Sequence, residues 1–120
     1  MNKLDLREKA GLLRTLGHPT RLAILLKLNE GVKCVTDIQD LLDIPQSNVS
    51  QHLLALRREK IVDFQEEGKL RCYYLCRPKL VKRLLRFLDD HYPILACPSK
   101  KAHRGMMPQE SVKVTNDCAV

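Results

Sequence analysis

The stretch VTDIQDLLDIPQSNVSQHLLALRREKIV, residues 35–62, decides the fold. Ile38, Leu41 and Leu42 recur at helical spacing and mark the inward side of a short helix. Asp43 tolerates the turn geometry that glycine would adopt most easily. Pro45 discourages helix at Ile44 and is suited to begin the next one. Val49, Leu53, Leu54 and Leu56 then give a second helix its buried face. Two helices joined by so tight a turn predict a helix-turn-helix.

Upstream, Leu4, Leu12, Leu13 and Leu16 predict an amphipathic helix over residues 4–16. GHPTRLAILLKLNEG, residues 17–31, predicts another. Gly17 ends the first helix, His18 takes the N-cap of the second, and Pro19 fits its first position, where a missing N–H costs nothing. Leu22, Leu25, Leu26 and Leu28 form its apolar face. Downstream, IVDFQEEGKLRCYYL, residues 61–75, predicts a two-stranded hairpin around the polar turn QEEGK. Leu70, Cys72 and Tyr74 alternate with Arg71, Tyr73 and Leu75, with the first set expected toward the core. RPKLVKRLLRFLDDHY, residues 77–92, predicts a last helix, and Pro93 and Pro98 end the pattern. The folded domain is therefore expected over 1–97, and residues 98–120, which lack periodicity, as a flexible tail.

A chain of 120 residues holds one small domain with a modest core. Hydrophobic residues make up 44% but aromatic ones only 4%, so leucine carries the interior and packed helices are expected over a large sheet. No apolar run suffices for a transmembrane helix. The opening MNKLDLREK is charged and unlike a secretory signal, which predicts a cytoplasmic location and no membrane partner. A net charge of +7 suits a polyanionic partner such as nucleic acid. Five cysteines without a CxxC pair speak against a disulfide framework or a zinc ribbon. In a reducing compartment they are free thiols, most of them buried.

Three motifs now carry a resemblance. LGHPTRLAILLKL (16–28), DIPQSNVSQHLLALRREKIV (43–62) and EEGKLRCYYL (66–75) closely resemble the ArsR/SmtB family of inducer-released bacterial repressors, over roughly residues 10–90. The resemblance implies a mainly α fold with a two-stranded β-hairpin wing, a winged helix-turn-helix. It implies a homodimer on double-stranded, inverted-repeat operator DNA, with the first and last helices as the dimer surface and Leu12, Leu84 and Leu88 as contacts. It implies no enzyme.

The residues support the DNA reading by themselves. Gln46, Ser47, Asn48, Ser50, Gln51 and His52 lie at the start of the second helix of the motif. Short polar side chains approach base edges and phosphates, and Gln or Asn pairs bidentately with adenine. The helix N-terminus favours a phosphate. Arg57 is placed to reach the DNA backbone, and Lys69 and Arg71, flanking the wing, a neighbouring phosphate or the minor groove. The rival classes are a small thiol oxidoreductase and a winged helix used for protein contacts. The first lacks a CxxC or a neighbouring His motif to activate its thiol.

What is sensed is compared residue by residue with the family's sites. The zinc site of the last helix begins with an Asp-x-His pair, which RPKL does not supply; only His91, after Asp90, matches its far half. The arsenic- and cadmium-type site carries Cys-x-Cys at the start of the third helix. Here CVTD keeps Cys34 but has Thr36 in the second place, a poor ligand for a soft metal. Persulfide- and oxidant-sensing members pair a cysteine in the second helix with one late in the last. Cys97 matches the late position, but RLAILLKL has no cysteine. The expected sensor is Cys34 with Cys97 and Cys118, taking trivalent arsenic or another thiophilic metal as inducer. Reactive-sulfur or oxidant sensing is the alternative. Cys72 and Cys76 are expected simply to pack.

Overall fold

Local capping chemistry sets the helix boundaries. In the computed structural model, which describes residues 1–98, helix α1 runs Lys3–Leu16. A capping box opens it: Asn2 Oδ1 accepts from the Asp5 N–H at 2.9 Å, and the Asp5 carboxylate accepts from the Asn2 N–H at 3.4 Å. Helix α2 runs Pro19–Asn29, capped by His18, whose Nδ1 accepts from the Thr20 N–H at 3.1 Å. Helices α3 (Val35–Leu42) and α4 (Gln46–Arg58) make the helix-turn-helix. Asp43 ends α3 in the left-handed region at φ 52, ψ 48, as the sequence anticipates. The Pro45 carbonyl accepts from the N–H groups of Asn48 and Val49, starting α4.

A sheet follows α4, with β2 at Val62–Glu67 and β3 at Leu70–Leu75, turning at Gly68 with φ 63. Helix α5, Pro78–Asp89, comes last. The chain divides into two units, Met1–Phe87 and the part from Leu88 onward. The core lies in the first unit: Leu16, Ile24, Leu25, Leu28, Ile38, Val49, Leu53, Leu56, Ile61, Val62, Tyr73 and Val81 form one buried cluster. Each such aliphatic side chain contributes about 1.5–3 kcal/mol on burial. This cluster packs α4 against α2 and α3, so the opposite face of α4 is presented outward. Among the described residues no helix is long and apolar enough to cross a membrane.

The elements of the fold depart from expectation in four respects. The sheet has three strands, not two, because Lys33–Cys34 forms a short β1 on the open edge of β3, in the order β1-β3-β2. A two-residue strand carries no periodicity to read. The pairing is antiparallel, Lys33 opposite Tyr73 and Cys34 opposite Cys72. Second, β3 is covered on both faces at its middle: Cys72 is buried as expected, Tyr73 and Leu75 of the other face pack into the core, and Leu70 at the strand's start is 44% exposed. Tyr73 lies opposite Phe64, and the two rings pair across the strands with centroids 5.3 Å apart. Third, Leu26, Leu41 and Leu54 stay exposed, since Ile24, Leu25 and Leu28, then Ile38, and then Val49, Leu53 and Leu56, already fill the inward stripes. Fourth, Cys76 is exposed at the strand-to-helix junction; its N–H donates to the Ile61 carbonyl at 2.9 Å. Of the expected tail, residues 99–120, Cys118 included, lie outside the described residues.

Candidate nucleic-acid interface

Helix α4 shows its polar residues because its apolar ones are spent. Val49, Leu53 and Leu56 are fully buried, and Gln46, Ser47, Asn48, Ser50 and Gln51 are all exposed on the other side. Gln46 and Ser50 open onto a groove of about 420 Å³ between α4 and the hairpin. Val35, Leu54, Arg57, Phe64, Lys69, Arg71 and Tyr73 complete its lining. Five of the residues singled out by sequence thus converge on one concavity: Gln46, Ser50, Arg57, Lys69 and Arg71.

Phe64 orders the cationic part of that groove. The Arg57 guanidinium lies 4.5 Å and that of Arg71 4.6 Å from its ring centroid. Arg57 Nε also donates to Asp63 Oδ1 at 2.9 Å, and Arg71 Nε lies 3.8 Å from Glu66 Oε1. The Phe64 N–H donating to the Asp63 carboxylate, followed by Arg57, holds that carboxyl below its ordinary value. Exposed pairs of this kind stabilise the fold little. Their effect is to hold two flexible cations over one ring, aimed at the groove. Neither Phe64 nor Leu54 was singled out by sequence, for a lone apolar residue on a strand or helix reads as core.

His52 faces elsewhere. It is half-buried against α2, its ring 4.4 Å from that of His18, and its Nδ1 accepts from Arg21 Nε at 3.2 Å. Arg21 also donates to the Thr15 carbonyl at 3.2 Å, tying the end of α1 into the same cluster. In this structure His52, expected from sequence as a DNA contact, ties α4 to α2. Burial, then the charges of His18 and Arg21, lower its pKa from the usual 6.5. The folded state thus prefers neutral His52, and the unfolded chain takes up a proton first as pH falls. Stability from this source is present above pH 6.5 and declines below it. Thermal unfolding followed from pH 7.5 to 5.5 should show a falling midpoint that His52→Gln flattens; an equally steep fall in the variant would remove His52 as the cause.

The cysteines are arranged differently from the expected set. Cys34 N-caps α3, its N–H donating to Asp37 Oδ2 at 3.3 Å. Its Sγ lies 2.9 Å from that of Cys72. Cys72 is 6% exposed, with Glu67 Oε2 3.9 Å from its sulfur. The thiol of Cys72 is pushed up to about 11, first by its hydrogen bond with Cys34, then by burial, and then by the charges of Cys34 and Glu67. The partner of Cys34 inside its own unit is therefore a residue that the sequence assigned to packing. Cys97 lies exposed in the second unit and is not among the free thiols. Among the described residues, no group of three or more His, Cys, Asp or Glu side chains is assembled to hold a metal.

On α1 and α5 an apolar groove of about 480 Å³ is lined by Leu12, Leu13, Leu16, Lys79, Leu80, Arg83, Leu84 and Phe87. Leu13 is 63% exposed there. Two of the three expected dimer contacts, Leu12 and Leu84, line it.

Residues 18–63 match the family of bacterial regulatory proteins described as the arsR family. The biofilm growth-associated repressor of Agrobacterium fabrum is 37% identical over 93 residues, covering 78% of this chain and 76% of that protein. The chain belongs to the ArsR family. The transcriptional repressor SmtB of Mycobacterium tuberculosis is 40% identical over 72 residues, 59% of this chain; the match spans 53%, about half, of that relative's length. The structure of reduced HlyU from Vibrio cholerae matches with a TM-score of 0.66 at 26% identity, covering 73% of this chain and 96% of that one. The Mycobacterium tuberculosis relative is named a transcriptional repressor, and the Agrobacterium fabrum one a repressor. A mainly helical chain with a small antiparallel sheet, a helix-turn-helix and a wing is what this ArsR-family protein folds into.

Proposed function

We propose that this ArsR-family protein is a DNA-binding transcriptional repressor that acts as a homodimer on an inverted-repeat operator. The observation that carries the reading is the groove between α4 and the wing, where Gln46, Ser50, Arg57, Lys69 and Arg71 converge. Ser47, Asn48 and Gln51, exposed on the same helix, are the proposed base readers beside it. The groove's cations take the flanking phosphates. The apolar groove of α1 and α5 supports dimer formation, which places two recognition helices on half-sites about one helical turn apart. Fluorescence anisotropy on the protein's own promoter and on a random duplex, over a salt series, tests this. The promoter is expected to bind at least about a thousandfold more tightly at physiological salt, with affinity falling steeply as salt rises. Equal affinity for both duplexes would refute the repressor reading.

We further propose that an inducer acting on thiols releases the DNA. Cys34, half-exposed and in contact with a second thiol, supports this. Two chemistries reach such a thiol: coordination of trivalent arsenic or another thiophilic metal, and covalent reaction with reactive sulfur or an oxidant. Trivalent arsenic prefers three sulfur ligands, and the first unit pairs Cys34 with one, Cys72. The geometry therefore favours covalent thiol chemistry. Cys97 and Cys118, named with Cys34 from sequence, are tested beside it by serine substitution.

A further inference from the structure

We infer that Cys34 and Cys72 are an oxidisable pair whose disulfide, formed by a peroxide, ties the start of α3 to the central strand of the sheet and lowers affinity for DNA. The effect on DNA rests on the repressor reading above; the disulfide itself does not.

The geometry is that of a bond nearly made. Cys34 and Cys72 are directly opposed on antiparallel strands. Directly opposed residues have Cα atoms about 4.5 or 5.5 Å apart, and both values fall in the range of roughly 4.4–6.8 Å that disulfides span. The sulfurs are already 2.9 Å apart. Reaching a bond of about 2.05 Å needs less than about 1 Å of closure between the two sulfurs. The remaining free cysteine among the described residues, Cys76, is on the far side of β3's end, next to α5.

Exposure assigns the order of events. Cys34 is half-exposed and Cys72 is covered, so the oxidant meets Cys34. The Cys34 thiolate attacks a peroxide oxygen, the O–O bond breaks, and a sulfenic acid and one water result once a proton is taken up. The Cys72 sulfur then attacks Cys34 sulfur and the S–O bond breaks. The departing hydroxide leaves as a second water, carrying the Cys72 proton. Two thiols lose two electrons, and one peroxide becomes two waters.

The cysteine pair adjoins, along the chain, two lining residues of the proposed DNA groove. Val35 follows Cys34 and Tyr73 follows Cys72, and both line that groove with Gln46, Ser50 and Arg57. Drawing β1 onto β3 shifts these two walls together. It also pulls on α3, whose Asp43 turn leads directly into α4.

The test uses the full-length reduced protein and hydrogen peroxide. After alkylation and proteolysis, one peptide pair joining Cys34 to Cys72 is expected, and dithiothreitol reverses it. Promoter affinity should fall about tenfold on oxidation, a coupling of ordinary size, in wild type and in Cys97→Ser. Peroxide should leave it unchanged in Cys34→Ser and Cys72→Ser. If both thiols remain alkylatable, if the disulfide maps to Cys97, or if oxidised wild type keeps its promoter affinity, the inference is overturned. Should serine at buried Cys72 disturb folding, the wild-type peptide map still decides. A reduced protein with no promoter preference would instead fail the repressor reading, taking the DNA effect with it while the map judges the disulfide.

Discussion

A protein carrying Asn48→Ala and Gln51→Ala together is expected to bind its promoter hardly better than random DNA. Both side chains are exposed near the start of α4, one helical turn apart, and neither takes part in the core. A bidentate contact from Asn or Gln to a base is worth about 1–3 kcal/mol of discrimination. Loss of two such contacts per protomer, doubled by the dimer, removes most of the roughly 4–10 kcal/mol by which specific sites exceed random ones. Arg57, Lys69 and Arg71 remain, so non-specific binding and its salt dependence should persist. The unfolding temperature should scarcely move, because Val49 and Leu53 still anchor the helix. Binding titrations on promoter and random duplex provide the measurement. Retention of the wild-type preference would mean that α4 does not read the bases.

The second large effect is expected from Leu13→Glu. Leu13 lies on the apolar groove between α1 and α5 yet is 63% exposed, so the fold does not depend on it. In the proposed dimer the same position is covered. A carboxylate buried there without a partner costs several kcal/mol, and each 1.4 kcal/mol is about tenfold in the dissociation constant. The dimer should weaken by about a hundredfold or more. Promoter affinity should fall with it, because a second half-site engaged through a linked protomer acts at high effective concentration. Sedimentation equilibrium measures the first change and anisotropy the second. A variant that sediments as wild type would place the dimer surface elsewhere.

Much of this protein is legible where the signal is local. Asp43 and Pro45 mark the turn, and His18 and Pro19 mark the start of α2. Each works through its own backbone geometry and a partner within a few residues. The polar face of α4 is legible for the same reason, since one turn of helix sets which residues lie together. Exposed hydrophobics were harder: Leu54 has the spacing of a core residue, and its place in the groove depends on Phe64 and Tyr73 from the sheet.

The sequence by itself determined the order of helices, the helix-turn-helix, the hairpin and the polar residues turned outward on α4. Tertiary structure alone decided the third strand, the covering of both faces of β3, the turning of His52 toward Arg21 and the meeting of Cys34 with Cys72. These pairs stand 31 and 38 residues apart. No periodicity links residues so distant; they become neighbours through the packing of α4 on α2 and of β1 on β3. That is why Cys34 could be singled out from sequence, while its partner could be found only in the fold.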